Sequence, residues 1–119
     1  MSSGSTLYAL NNQVGHVRSE VRTLTATQTI TVDGNTTLVL NNAANIVVTI
    51  ANAPRAGDSL ELICLNTDDG TTVVLPDGVT WDGTNGTATF DADGEVLVVR
   101  AISSTRYVVT SNPGSVAFS

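Results

Sequence analysis

Six apolar residues, Leu7, Leu10, Val14, Val17, Val21 and Leu24, recur at spacings of three, four, three, four and three. That is the a/d seam of a coiled coil, and such a seam buries its stripe only by meeting other copies of itself. The pattern predicts a helix over Tyr8 to Leu24, with these six residues as the oligomerisation set. The helix is weak by itself. Asn11, Asn12 and Gly15 lower its propensity, Gly by about 1 kcal/mol relative to Ala, and a helix this short is marginal alone in water. His16 and Glu20 fall at i,i+4 on the outer side, where they give slight support. The spacing implies more than one copy without fixing the number, since Val at a with Leu or Val at d leans toward dimers.

From about Thr27 the period changes. Short β-rich segments follow: Thr29 to Val32, Thr37 to Leu40, Ile46 to Ala51, Leu60 to Leu65, Thr72 to Leu75, Thr87 to Phe90, Glu95 to Ala101 and Arg106 to Thr110. Asp-Gly pairs at 33, 69, 77, 82 and 93, with Asn85-Gly86, mark the turns, because those pairs accept positive φ. Asp33-Gly34 predicts a hairpin between its flanking segments. Strands of this length at this spacing indicate a sandwich, jelly roll or small barrel, and an antiparallel sandwich or jelly roll is the fold expected. Helix followed by strands excludes a doubly wound α/β fold. Two segments, Ile46-Val47-Val48 and Val96-Leu97-Val98-Val99, are continuously apolar. Alternation is expected where one face of an antiparallel sheet meets water, so these runs predict cover on both faces, the second from a neighbouring subunit. The expected organisation is an N-terminal arm and helical stem at 1–26, a β head at 27–111 and a C-terminal arm at 112–119, assembled from more than one copy.

Composition narrows the function classes. With 119 residues the chain has room for one β core. A net charge of −6 with five Arg and no Lys disfavours nucleic acid, which needs a basic stripe, and anionic membrane surfaces. No basic segment followed by an apolar run opens the sequence, so no secretory signal is expected. Cys64 stands alone in an apolar strand, which excludes an internal disulfide and points to a buried, inert thiol made in a reducing cytoplasm.

No residue constellation announces catalysis. His16 lies on the expected helix and Cys64 in a core strand, with nothing to orient them as a pair. A glycosidase carboxylate pair is conceivable, but a turn accounts for nearly every Asp. Asp91, Asp93 and Glu95 form the sharpest acidic cluster and offer hard oxygen ligands of the kind Ca²⁺ takes. The calcium-loop spacing is absent, however, and Asp93-Gly94 is a hairpin tip by default. Asp68-Asp69 is read the same way. Trp81, beside Asp82, Gly83 and Asn85, is either a sugar-stacking platform or, as is more common for a lone Trp in a β head, a core or interface residue. Asn35-Thr36-Thr37 and Asn85-Gly86-Thr87 match the glycosylation pattern but carry little weight without a signal sequence. A non-enzyme with no cofactor or metal is expected.

The order "TITVDGNTTLVLNNA", "IVVTIANAPRAGDSLELICLN", "GTTVVLPDGVTWDGTNG" and "ATFDADGEVLVVRAISSTRYVV" resembles a module of bacteriophage structural proteins: head fibres, capsid decoration (cement) proteins and tail-fibre segments. The resemblance covers about three quarters of the chain and is one of pattern. It implies a homotrimeric β head, the major capsid protein as partner, and residence on the virion exterior after synthesis in the host cytoplasm. A short chain fits a decoration protein or short head fibre better than a receptor-binding fibre. The alternative is a tail-fibre tip that binds a receptor or glycan through Trp81.

Overall fold

A computed structural model describes residues 19–42, 44–66 and 70–119. Of these, 54 % are strand, in two sheets. The strands are β1 (Ser19–Leu24), β2 (Gln28–Ile30), β3 (Asn35–Asn41), β4 (Val47–Ile50), β5 (Ser59–Asn66), β6 (Thr71–Val74), β7 (Thr87–Phe90), β8 (Val96–Ser103), β9 (Arg106–Ser111) and β10 (Ala117–Phe118). One sheet has the order β1-β3-β5-β8-β9 and the other β10-β7-β6-β4-β2.

Up to β6 the chain alternates between the sheets, so each pair of consecutive strands makes one turn of a flattened coil. Successive turns stack in parallel. Ser19 lies opposite Asn35, sixteen residues on, and Thr36 opposite Leu60, twenty-four on. In the second sheet Gln28 meets Val48 and Val47 meets Thr72. The repeat length varies because the excess is taken up in the corners rather than in the strands. After three turns the winding stops. β7 reverses against β6, the β8–β9 hairpin lies antiparallel on β5, and β10 closes antiparallel on β7.

Two expectations change here. The segment Ser19–Leu24 is strand, not the end of a helix, so Val21 and Leu24 share no seam. They point to opposite faces: Leu24 is buried in the chain's own core and Val21 is 68 % exposed. Val21 and Thr23 are β-branched and suit a strand, and the six residues gain a full parallel ladder on β3, a gain the heptad spacing cannot register. Leu7, Leu10, Val14 and Val17, with the rest of the expected stem, lie outside the described residues. Nor is the head wholly antiparallel. Asp33-Gly34 does turn, with Gly34 at φ 66°, but the turn delivers the chain to the opposite sheet instead of closing a hairpin.

Asparagine side chains bridge the corners between turns. Asn52 accepts from the Val32 N–H at 2.9 Å and donates to its carbonyl at 2.6 Å. Asn42 donates to the Thr25 carbonyl. Asn35 accepts from the Ser59 N–H and hydroxyl. Such bonds satisfy backbone groups where the ladder is interrupted.

The core is the space between the sheets. Leu24, Leu38, Leu40, Leu60, Leu62, Cys64, Leu97, Val99, Ala101 and Tyr107 enter from one side, and Ile30, Val48, Ile50, Val73, Ala88 and Phe90 from the other. Burial alternates along β3, β5 and β8, as expected of a sheet with one packed face. Residues 112–119 are not a free arm. Asn112 bonds both the N–H and the carbonyl of Val116, Val116 is 3 % exposed, and the tail seals the edge of the second sheet.

Candidate functional site

The residues singled out for chemistry are structural. Trp81 is fully buried, stacked on Tyr107 with ring centroids 5.5 Å apart and planes at 27°. Its indole N–H donates to the Gly86 carbonyl at 3.1 Å. It therefore presents no face to a sugar, and the glycan-platform reading of this residue is corrected to a core residue. The surrounding loop is held by Asp82, whose carboxylate accepts from the N–H groups of Asn85 and Thr84. Those bonds hold its pKa below the ordinary carboxylate value. The loop is also tied to β9, because the Tyr107 N–H donates to the Thr80 carbonyl at 2.9 Å.

Glu95 is 5 % exposed. One oxygen of its carboxylate accepts from the Asp91 and Ala92 N–H groups at 2.8 and 3.1 Å, fastening the tight turn in which Gly94 has φ 87°. The cluster Asp91, Asp93, Glu95 is thus split, with Glu95 turned inward to the backbone. Among the described residues no group of three or more His, Cys, Asp or Glu side chains is placed to hold a metal ion. Asp68-Asp69 and His16 lie outside those residues. Cys64 is buried; burial, then the nearby carboxylates of Asp93 and Glu95, push its thiol above the ordinary pKa. Asn35 and Asn85 have side-chain partners within the fold. An open depression of about 350 Å³ is lined by Val74 to Thr80 and by Thr84, Gly86 and Thr87. Asp77 is the only ionisable group on its wall, so it lacks the convergent polar groups of a small-molecule site.

The remaining feature is a contrast between the two outer faces. On the second sheet the outward side chains form the rows Thr29–Thr49–Val74–Thr87 and Val47–Thr72–Thr89. Threonine dominates, as suits a face that meets water. On the first sheet the rows are Thr23–Val39–Ile63–Val96 and Val21–Thr37–Glu61–Val98. Val108 extends the face across β9, opposite Arg100. Leu65 and Ile102 stand on it 54 and 57 % exposed. Val21, Val39, Ile63, Leu65, Val96, Val98, Ile102 and Val108 make this a broad apolar surface, with Glu61 and Arg100 within it and Arg106 at its β9 edge. Contiguous exposed apolar patches of this kind mark interaction sites.

A comparison of the sequence with protein-family models and with curated proteins finds no match.

The expectation that Val96-Leu97-Val98-Val99 is covered on both sides is met within the chain on the Leu97 and Val99 side. Val98 and Val96 face outward. Reading the segment as strand placed those two residues; what it lacked was the register that aligns them with Ile63, Val39 and Val21.

Proposed function

We propose that this chain is a viral structural protein that decorates and stabilises a bacteriophage capsid as a homotrimer, without enzymatic activity. The observation that carries the reading is the apolar outer face of the first sheet set against the threonine-rich face of the second. A protein that works alone in solution gains nothing from such a face, whereas one that works in an assembly does. The resemblance to phage decoration and head-fibre modules gives the assembly its identity. The major capsid protein is the partner, and the virion exterior the location, after synthesis in the host cytoplasm.

The mechanism is linkage. A protein that binds only the assembled lattice stabilises it by RT ln(1 + [L]/Kd). A trimer that touches several capsid subunits at once adds avidity to weak individual contacts. Neither effect requires a pocket or a reactive group. The tail-fibre-tip alternative loses its main support with the burial of Trp81.

The test compares phage capsids carrying this protein with capsids made without it, under heating and in low salt. Decorated shells should rupture at higher temperature, and adding the purified protein back should restore the difference. Equal resistance of the two would refute the clamping role.

A further inference from the structure

We infer that the outer face of the first sheet is the self-association surface of the chain, and that its occupants are the same faces of the other copies, gathered about one rotation axis. The inference deepens the reading of the protein as an oligomeric structural protein and rests on it.

Three features argue for a copy rather than an unrelated partner. First, the face is charge-balanced. The chain carries a net charge of −6, so two copies repel at long range, yet the middle of this face holds one acid, Glu61, and one base, Arg100, with Arg106 at its β9 edge. Ser59 pairs with Arg100 and Glu61 with Val98, which puts the two charges on neighbouring rows of the same face. Related by a rotation axis, one copy's Arg100 can meet the other's Glu61, so the surface complements itself.

Second, the area is right. Five strands about 4.8 Å apart, with up to eight residues at about 3.3 Å, present roughly 600 Å² before side-chain relief is counted. That is close to the roughly 800 Å² per partner of a stable interface.

Third, the composition is that of an interface core. β-Branched and aliphatic side chains occupy its middle rows, while Thr23, Thr37 and Thr110 lie among or beside them, and nothing else in the described residues packs over Val21, Leu65 or Ile102.

The test is the solution mass of the full-length chain by light scattering, for the wild type, for V21E/I102E and for V47E. Val21 and Ile102 are exposed in the single chain, so the double variant retains the core, and circular dichroism checks that it keeps its strand signal. Val47, 44 % exposed on the opposite sheet, is the control. The expected result is about three times 12.3 kDa for the wild type and for V47E, and about one third of that mass for V21E/I102E. An unchanged mass in V21E/I102E overturns the proposal. So does a monomeric wild type, whether the face is then covered by the chain's own N-terminal segment or reserved for the capsid. Should the double variant misfold, charge reversal at Arg100, R100E, paired with E61R is decisive. Each alone should weaken association and the two together should restore it; restoration failing overturns the inference. Capsid stabilisation is scored separately. A trimer that dissociates as expected but never protects capsids refutes the proposed function and leaves this surface assignment standing.

Discussion

Replacing Trp81 separates a structural tryptophan from a ligand platform. The side chain is fully buried, stacks on Tyr107 at 5.5 Å and donates to the Gly86 carbonyl at 3.1 Å. Trp81→Ala removes the largest buried side chain of the core, and a Trp-to-Ala change in such a setting costs about 3–5 kcal/mol. The aromatic pair accounts for roughly 0.5–1.5 kcal/mol beyond burial. Trp81→Phe keeps most of the buried area and the stack but leaves the Gly86 carbonyl without its donor, a cost of about 1–3 kcal/mol. At a urea dependence near 1.5 kcal/mol per M, those losses lower the midpoint by roughly 2–3 M and 1–2 M. The assay is urea unfolding followed by circular dichroism at a fixed protein concentration, because dissociation would otherwise enter the midpoint. A Trp81→Ala midpoint within about 0.5 M of wild type would refute the argument and return the residue to the surface.

Three further outcomes follow from the same geometry. Glu95→Ala should lower stability by about 2–3 kcal/mol, since the Asp91 and Ala92 N–H groups lose a charged acceptor; thermal unfolding of the variant measures it. Tyr107 is pushed up to about 12 by burial and by the Asp58 carboxylate. Because the folded state holds this proton more tightly than the unfolded state, its contribution is intact below pH 10 and is lost as pH rises from about 10 to about 12, at most about 3 kcal/mol; urea midpoints across that range should fall. Cys64, buried and with its thiol raised above the ordinary pKa, should resist a thiol reagent at mild alkaline pH until denaturant is added; rapid labelling of the folded chain would contradict its placement.

Most of the strands were legible in the sequence, β1 and β10 excepted, and most of their partners were not. Asp33-Gly34 and Asp93-Gly94 mark real turns. But a positive φ does not say whether the chain returns beside the strand it left or crosses to the facing sheet. Parallel stacking is set by contacts sixteen to twenty-five residues apart, beyond the reach of local propensity. The asparagines carried an unread signal: Asn35 read only as a glycosylation match, yet Asn35, Asn42 and Asn52 each span the corner between successive turns. Val21 and Leu24 show the limit of a spacing argument. Three positions apart, they fit one helix face, yet in a strand an odd separation sends them to opposite sides. The candidate surface suffered most. Its members were visible singly, but only the register brings Val21, Val39, Ile63 and Val96 together.

Stacking in turns also gives the molecule a direction. Among the described strands, β5 and β6 are flanked on both sides, by β3 and β8 and by β4 and β7, whereas β1 and β2 each have one neighbour. In a quasi-one-dimensional stack, stability is the sum of what each layer gains from the layers beside it. Amide protons of β5 should therefore exchange only on global unfolding, while those of β1 and β2 exchange through openings that leave the rest intact. The described stack is built like a zip with its stop at the C-terminal hairpin and its slider at β1.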